Sequence, residues 1–500
     1  MCNRVGNSWS SDRKSYLAHG ETDRAAGADR QADAATSCHP CLTKRVQQCS
    51  WGVDGKMHAT ILVRPWATLR GRKEVMSRAP MFSSLRHRNA RLFFIGLLVS
   101  NIGTWIQMTA MSLLVYELTG SAADVGITLF CQFLPMLLLG VWAGAVADRR
   151  DNRTMALLTQ SLLAAQALTL GTLYLLDLVT LPVVYGLSLL LGIIGAFDNP
   201  ARRGFVIELV EPQEITNAIS LNTAVMTGSR IVGPALAAAL KGPLGAGWLF
   251  IVNGVSFVAM LWPLIAIDRT KLHPAPVAKR GGTPVRDAFR FILHDRRLLV
   301  VFITFTVVGT FAFNYSVSLL KIADVRYDSK SFFGILLAAT GLGSMIGSLF
   351  TGARARVTTY WFFGNGLLLG VSGLAFAWAP NAWAALLLAV PVGFGGAAFI
   401  AALNAIVQQE SPPDMRGRLL ALSAVAFLGT TPIGAPITGW IADHIGAEWS
   451  LAYGSVIALI SVTIGFTLRW RSVRAEVPTD QHQLAPVLVD YSDAGGVVPE

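Results

Sequence analysis

One basic side chain, Arg230, stands inside a long apolar run that spans residues 215–240. A charge in such a run is costly, so it usually belongs to a functional site. Arg230 could hold an anionic ligand or form a structural ion pair, because a buried arginine without a partner is very unfavourable. Its candidate partners are Asp198, Asn101 and Gln107, and the sequence leaves both roles open.

Asp198 is the acidic residue placed most deeply within the apolar runs, whereas Glu117 and Asp124 lie near the ends of theirs. Burial and a nearby cation can move the pKa of a carboxyl group until it exchanges protons under working conditions. Asp198 is therefore the first candidate for a proton carrier. The alternative is a role in helix packing or in setting the topology.

Motifs for several other chemistries are absent from the chain. The sequence contains no G-x-x-x-x-G-K-[ST], no H-E-x-x-H and no G-x-S-x-G, the motifs of phosphate binding, zinc proteolysis and nucleophilic hydrolysis. Cys38 and Cys41 have C-x-x-C spacing, but no second pair follows. We therefore expect no ATP-driven pump, no enzyme, no bound metal and no cofactor.

The composition indicates a lipid environment for most of the chain. Of its 500 residues, 53% are hydrophobic and only 14% are charged, whereas soluble domains carry about 25% charged residues. Twelve apolar runs follow from Leu92 onward, each near the roughly 20 residues that cross a bilayer. The predicted spans are about 92–116, 122–147, 154–176, 181–201, 215–240, 246–267, 298–321, 332–353, 358–379, 382–407, 416–441 and 448–470.

The polar segment from Asp268 to Arg297 divides these spans six and six. We predict an all-α integral membrane protein with six-helix bundles at residues 86–268 and 298–474, joined by a cytoplasmic loop at 269–297. On one side of the spans lie twenty Lys and Arg residues, the first 91 residues left aside, and on the other side lie four. The positive-inside rule therefore places both termini in the cytoplasm, as in a multi-pass protein of a bacterial inner membrane.

Residues 1–85 and 475–500 are predicted to be disordered tails, because they lack sustained apolar periodicity. An alternative for the first tail is that translation begins at Met76 or Met81. Residues 1–91 hold 16 Lys and Arg against 7 Asp and Glu, most of the net charge of +11. Because this segment has neither a basic helix pattern nor interleaved aromatic residues, nucleic-acid binding is excluded.

The two halves match weakly when one is slid over the other. At an offset of 208, Gly126 meets Gly334 and Gly144 meets Gly352. At an offset of 201, Pro212, Leu221, Gly228 and Gly233 meet Pro413, Leu422, Gly429 and Gly434. Both blocks fall on equivalent helices, which is typical of parallel repeats in transporters. The sequence thus predicts two six-helix parallel repeats.

The loop after the second span, Gly144-Ala-Val-Ala-Asp-Arg-Arg-Asp-Asn-Arg153, resembles the G-x-x-x-D-R signature of the major facilitator superfamily. Asp151 and Asn152 replace the usual glycine and basic residue. The resemblance implies a cytoplasmic gate, in which a carboxylate at a helix C-terminus needs a cation nearby. The alternative is a cluster of positive charge that only sets topology. The candidate gate residues are Gly144, Asp148, Arg149, Arg153, Arg202, Arg203, Arg416 and Arg418.

Three segments narrow the resemblance: YELTGSAADVG, DNPARRGFVIELVEPQEITNAISLN and RIVGPALA. With RGRLLALSAVAF, they are similar to exporters related to the enterobactin exporter and macrolide efflux proteins. This implies a monomer that exports a siderophore or an amphiphilic drug-like molecule by proton antiport, with protons, the small molecule and the bilayer as partners. A non-transporting receptor or scaffold, a uniporter and an importer remain alternatives.

On the fifth span, Gly228, Gly233 and Pro234 resemble the antiporter motif of the superfamily, although Ala237 and Ala238 replace a Gly-Gly pair. Such small residues also suit plain helix packing. By resemblance, the central cavity is lined by the first, fourth, seventh and tenth helices, where each polar residue could instead form an interhelical hydrogen bond. The candidate cavity residues are Asn101, Trp105, Gln107, Asn199, Arg230, Asn314, Tyr315 and Asn404.

Overall fold

The computed structural model describes residues 49–51, 57–59, 83–147, 149–273, 284–354 and 356–475. Nearly all of the two predicted disordered tails lies outside these residues, and so do Cys38, Cys41 and the two candidate start positions. Asp148 of the predicted gate lies outside them as well. The predictions that concern these residues therefore stay predictions.

The chain divides into two units, residues 1–77 and residues 78–500. In the first unit, the described residues form two antiparallel strands, β1 (Cys49–Trp51) and β2 (Met57–Ala59), with Cys49 opposite Ala59. The second unit contains all the helices.

Twelve helical spans are long and apolar enough to cross a membrane, which confirms the predicted all-α membrane fold. A helix satisfies its own backbone hydrogen bonds, so it is suited to a solvent that offers none. The helices of these spans are TM1 Arg88–Thr119, TM2 Ala122–Ala147, TM3 Asn152–Leu175, TM4 Leu181–Glu208, TM5 Ile215–Leu244, TM6 Ala246–Ser256 and Val258–Ala266, TM7 Arg296–Ala312 and Tyr315–Tyr327, TM8 Phe332–Gly352, TM9 Thr359–Ala377, TM10 Ala382–Glu410, TM11 Pro413–Leu428 and Thr431–His444, and TM12 Ala447–Ala475.

Three of these spans are divided into two helices, which hydropathy did not predict. TM6 breaks at Phe257. TM7 breaks at Phe313 and Asn314, and TM11 breaks at Gly429 and Thr430. The segment predicted as a loop between the bundles also contains a helix, Pro284–His294. It buries one face of small and aliphatic side chains and exposes apolar side chains on the other.

Glycines allow the two bundles to approach closely at two equivalent places. A Cβ atom on Gly126 of TM2 would collide with the carbonyl group of Ala435 in TM11. A Cβ atom on Gly334 of TM8 would collide with Ala238 and with the carbonyl oxygen of Pro234, both in TM5. Gly126 and Gly334 are the residues that match at the offset of 208, so the predicted repeat corresponds to equivalent packing in the two halves.

Alternate spans end on the same side of the bundle, which gives the molecule two faces. We call the side where TM1 begins and TM12 ends the terminal face, and the opposite side the distal face. The terminal face includes the link from TM2 to TM3 and the helix Pro284–His294. The distal face includes the links from TM1 to TM2 and from TM7 to TM8.

Candidate functional site

Two adjoining cavities lie among the helices and share five lining residues. The larger has a volume of about 560 Å³ and is walled mainly by TM1, TM2, TM4 and TM5. The smaller has a volume of about 150 Å³ and lies among TM1, TM5, TM7, TM8, TM10 and TM11. The larger cavity extends to Arg202 and Arg203 near the terminal end of TM4. The shared residues are Trp105, Met108, Phe133, Arg230 and Ile400.

Arg230 lies where the two cavities join, and its side chain is exposed to them. Its guanidinium group lies over the ring of Trp105, with the Cζ atom 4.9 Å from the ring centroid. Gly233, one turn further along TM5, lets Trp105 approach, because a Cβ atom there would collide with the Trp105 side chain. Among the described residues, no carboxylate lies within ion-pair distance of Arg230.

The predicted partners of Arg230 bind other groups. Asp198 is 2% exposed and forms an ion pair with Arg202, Oδ2 to Nε 2.6 Å. The Asp198 Oδ1 atom also accepts hydrogen bonds from Thr159 Oγ1 at 2.8 Å and Gln160 Nε2 at 2.7 Å. Asp198 thus has a cation and two neutral donors beside the cavity wall, and Arg230 is free to interact with a ligand.

Gln107 lines the larger cavity, but its amide is occupied between helices. It donates to Gln166 Oε1 at 3.0 Å and accepts from Asn253 Nδ2 at 2.6 Å. Asn199 also reaches the cavity and donates to Gly195 in its own helix at 3.0 Å. In this structure, the Gln107 side chain therefore forms interhelical hydrogen bonds, which was the alternative to a ligand contact.

The other predicted cavity residues differ in whether their side-chain polar atoms have hydrogen-bond partners. Asn101 Nδ2 and Tyr315 Oη are buried and have no hydrogen-bond partner in the described part of the chain. Asn314 lines the smaller cavity at the break in TM7 and donates to Thr310 O at 2.9 Å. Asn404 is not among the residues that line the two cavities, because it turns to TM11 and accepts from Ser423 Oγ at 3.2 Å. Its place in the substrate cavity stays a prediction.

The three residues of the antiporter-like motif have different surroundings. No neighbouring atom lies within 4 Å of the Cβ position of Gly228, so close packing there is not observed. Pro234 has no backbone N–H, which leaves the carbonyl group of Arg230 without its helical partner. That carbonyl oxygen lies against Gly341 of TM8. Within the motif, Gly233 thus makes room for Trp105, and Pro234 removes one backbone hydrogen bond from TM5.

The described residues of the predicted gate at the terminal face make few contacts with the opposite bundle. Gly144 has no neighbour within 4 Å of its Cβ position, so the close approach expected there is absent. Arg149 is exposed. Arg416 Nε donates to Ser411 O at 3.1 Å, and Arg418 contacts Met415 Sδ at 3.7 Å, both near the start of TM11.

Arg153 contacts TM6 within the first bundle, and its role in the gate stays a prediction. It is buried, and it donates to the carbonyl oxygens of Leu264 at 2.5 Å and Ile265 at 2.8 Å near the end of TM6. Asp151, which departs from the family signature, is the N-cap of TM3 and accepts from Thr154. Burial raises the pKa of Asp151, but the hydrogen bonds from Thr154 and Arg153 outweigh it and hold the pKa below its usual range.

The distal face is closed by a contact that the sequence analysis missed. Asp443, near the end of TM11, accepts hydrogen bonds from Ser121 Oγ at 3.0 Å, Ala122 N at 3.0 Å and Ala123 N at 2.8 Å. Lys321 of TM7 donates to the same carboxylate at 2.8 Å. Asp443 therefore caps the first turn of TM2, where a negative charge is stabilised by the helix dipole. We call these five residues the distal latch.

A second contact between the bundles lies beside the distal latch. Tyr116 Oη donates to Asp324 Oδ2 at 2.7 Å, and the amines of Lys321 and Lys330 lie over the Tyr116 ring. The side-chain hydrogen bonds that Tyr116 and Asp443 form between the two bundles lie at this face. The cavity is thus closed on the distal side and extends toward the terminal side. The described ranges contain no cluster of three or more His, Cys, Asp and Glu residues that could hold a metal ion.

Comparisons with known proteins give a consistent result. A family model described as transmembrane secretion effector matches residues 79–498. The staphyloferrin A transporter of Staphylococcus aureus is 23% identical and covers 79% of this chain and 100% of its own length. Macrolide efflux protein A of Streptococcus pyogenes is 26% identical, with 73% and 93% covered. In fold, the chain is similar to a bacterial homologue of the human lysosomal transporter Spinster, with a TM-score of 0.58 at 14% identity and coverage of 77% and 97%.

Proposed function

The chain belongs to the transmembrane secretion effector family of the major facilitator superfamily, and from this membership we propose that it exports a small molecule by proton antiport. It is a multi-pass membrane transporter and not an enzyme. The proposed cargo is a siderophore or an amphiphilic drug-like molecule, the classes named for relatives that match most of the chain. The proposed mechanism is alternating access around the central cavity.

One observation carries this proposal. A cavity of about 560 Å³ extends toward the terminal face, while the distal latch holds the other face shut. This volume lies within the roughly 300–1,000 Å³ typical of small-molecule sites. The excess of Lys and Arg on the terminal side supports a cytoplasmic terminal face. The molecule would then be ready to take up its cargo from the cytoplasm.

Export requires the distal latch to open and the terminal face to close. We propose that the loop after TM2, with Asp148 and Arg149, closes against the start of TM11 around Arg416 and Arg418. Arg202 and Arg203, at the end of TM4, are the proposed basic residues that the first bundle contributes to this gate. Gly144, which has no neighbour within 4 Å of its Cβ position here, would then receive the opposing backbone.

Asp198 is the proposed proton carrier. Its carboxylate is held by Arg202, Thr159 and Gln160 at the edge of the cavity. Asp198 would take up its proton from the distal side after the cargo has left, which would remove the attraction that holds Arg202 and let Arg202 move as the terminal face reopens. Release of the proton to the cytoplasm would restore the ion pair and the state that faces the terminal side.

Transport in everted vesicles tests the function. A proton gradient is imposed, and its collapse is followed as siderophores, macrolides or lipophilic cations are added. Substrate-dependent collapse is expected for the wild-type protein and not for Asp198→Asn. The matched control is Asp177→Asn, which removes an exposed carboxylate from the link between TM3 and TM4.

Two results would contradict parts of the proposal. Collapse that persists in Asp198→Asn, as in Asp177→Asn, would exclude Asp198 as the proton carrier. If no compound collapses the gradient in any variant, proton antiport is wrong, and uniport, import or a receptor role must be tested by measuring which compounds accumulate in cells that lack the protein.

A further inference from the structure

We infer that the cavity binds an organic anion with an apolar or aromatic body, whose negative group contacts Arg230 and Tyr315. This inference rests on the proposed function, because it names the substrate class of the same cavity. It concerns the place where the larger and smaller cavities join, between TM1, TM5 and TM7.

The charges along the cavity wall favour an anion. The charged residues lining it are Asp198, Arg202, Arg203 and Arg230. Asp198 and Arg202 neutralise each other in their ion pair. Arg203 and Arg230 have no carboxylate within ion-pair distance among the residues that the structure describes. The four charged side chains of the wall therefore sum to a net charge of about +2, which would repel a cationic ligand.

The order of the two arginines along the cavity gives them different roles. Arg203 lies near the terminal end, where an entering anion is first attracted. Arg230 lies deeper, over Trp105, where the two cavities join among the helices. Attraction between a guanidinium group and an anion is stronger there, and a planar guanidinium can donate two parallel hydrogen bonds to one carboxylate. Arg230 is therefore the residue that holds the anionic group.

Tyr315 supplies an independent observation. Its hydroxyl group is buried and has no hydrogen-bond partner in the described part of the chain. A buried hydroxyl group without a partner is unfavourable, so it is usually satisfied by a ligand or by water. Tyr315 and Arg230 both line the smaller cavity. One anionic group could accept a hydrogen bond from each.

The rest of the smaller cavity suits an apolar ring. Leu129, Phe133, Leu337 and Phe427 line it together with Phe313. The rings of Phe313 and Phe427 are 5.0 Å apart in an edge-to-face arrangement. Its volume of about 150 Å³ is close to that of an engineered apolar cavity that binds benzene. The ligand class is thus an aromatic or lipophilic carboxylate or a similar acid.

Binding to the purified full-length protein in nanodiscs tests this inference. The compounds are naphthoate, its neutral methyl ester, cationic naphthylmethylamine and acetate, measured by calorimetry. We expect naphthoate to bind about ten to a hundred times more tightly than the ester, because one hydrogen bond to a charged group is at stake. Acetate and the amine should bind more weakly than naphthoate.

Four variants locate the effect. Arg230→Gln should abolish the preference for naphthoate over its ester, and Arg230→Lys should keep part of it because the charge remains. Tyr315→Phe should weaken naphthoate binding about twofold to tenfold and leave ester binding less affected. The control Arg91→Gln removes an exposed arginine of TM1 outside the cavity and should change nothing.

The results separate the inference from the proposed function. Equal binding of naphthoate and its ester, or a preference that survives in Arg230→Gln, would overturn the inference even if vesicles transport neutral or cationic compounds. Failure of all four compounds to bind would overturn it too. A preference that depends on Arg230 would support the inference even if the vesicles show no proton coupling, in which case only the proposed antiport is wrong.

Discussion

Replacing Asp443 by asparagine should shift the protein away from the state in which the distal face is closed. The change keeps the size of the side chain and removes its charge. Asp443 joins TM11 to the first turn of TM2 and to Lys321 of TM7. The first of these contacts crosses between the bundles, so its free energy favours the closed distal face directly.

The size of the shift follows from the contacts of the carboxylate. Hydrogen bonds to charged groups contribute about 1.5–3 kcal/mol each, and a negative charge at a helix N-terminus adds about 0.3–1 kcal/mol. Asp443 and Lys321 are each 16% exposed, so screening by solvent is limited. Since asparagine still accepts hydrogen bonds from TM2, we expect a loss of about 2–3 kcal/mol. That corresponds to a change of roughly 30- to 150-fold in the ratio of closed to open distal face.

Distances between spin labels measure this ratio. Leu178 and Trp383 lie on the distal side of the two bundles and are 57% and 77% exposed, so cysteines can be placed there after removal of the native ones. Asp443→Asn should add a population with a longer distance. Asp328→Asn is the control, because it removes an exposed distal carboxylate at a left-handed position that asparagine adopts readily. If both variants give the wild-type distances, the latch does not hold the distal face closed.

Three further predictions concern stability in detergent. Gly343→Ala should destabilise the protein by about 1–3 kcal/mol, because the new Cβ atom would collide with the backbone of TM10. Gly364→Ala should instead stabilise it by up to about 1 kcal/mol, since no atom lies within 4 Å of the Cβ position. Equal melting temperatures of the two variants would contradict this prediction. Arg153→Gln should cost about 2–4 kcal/mol by leaving two TM6 carbonyl groups without a charged donor, and an unchanged melting temperature would disprove that role. The lowered pKa of Asp151 means that its charge stabilises the fold above about pH 3.9 and that this contribution is lost as the pH falls through the lowered pKa. Wild type should therefore exceed Asp151→Asn in stability at neutral pH and match it in acid, as chemical unfolding across pH can measure.

The number and kind of the spans could be predicted because lipid imposes one dominant rule on the backbone. Runs of about 20 apolar residues must form helices there, and a few charged residues mark the links. The breaks at Asn314 and Gly429 could not be predicted in this way, because they depend on contacts between TM7 and TM11. Gly434 of TM11 packs against Thr310 and Asn314. The helix Pro284–His294 left a signal, the apolar spacing of Phe289, Ile292 and Leu293, which hydropathy averages conceal.

The site was predicted in part, for a physical reason. Arg230 could be found because a charge in an apolar run is conspicuous by itself. Its neighbour Trp105 and the absence of a carboxylate partner depend on how TM1 packs against TM5, which one sequence does not specify. Asp443 is separated from Ser121 by 322 positions, so no local pattern joins them. The sequence marks Asp443 only as an acidic residue at a helix end, on the side of the spans that has few basic residues.

The breaks in TM7 and TM11 have no equivalent in TM1 and TM5, their counterparts in the repeat. The charged residues of the larger cavity all belong to the first bundle, while the breaks in TM7 and TM11, beside the smaller cavity, belong to the second. The two halves thus contribute differently to the cavity, the first by its charges and the second by two helix breaks. A relative that carries a cargo of different charge would therefore be expected to differ first among the cavity residues of the first half.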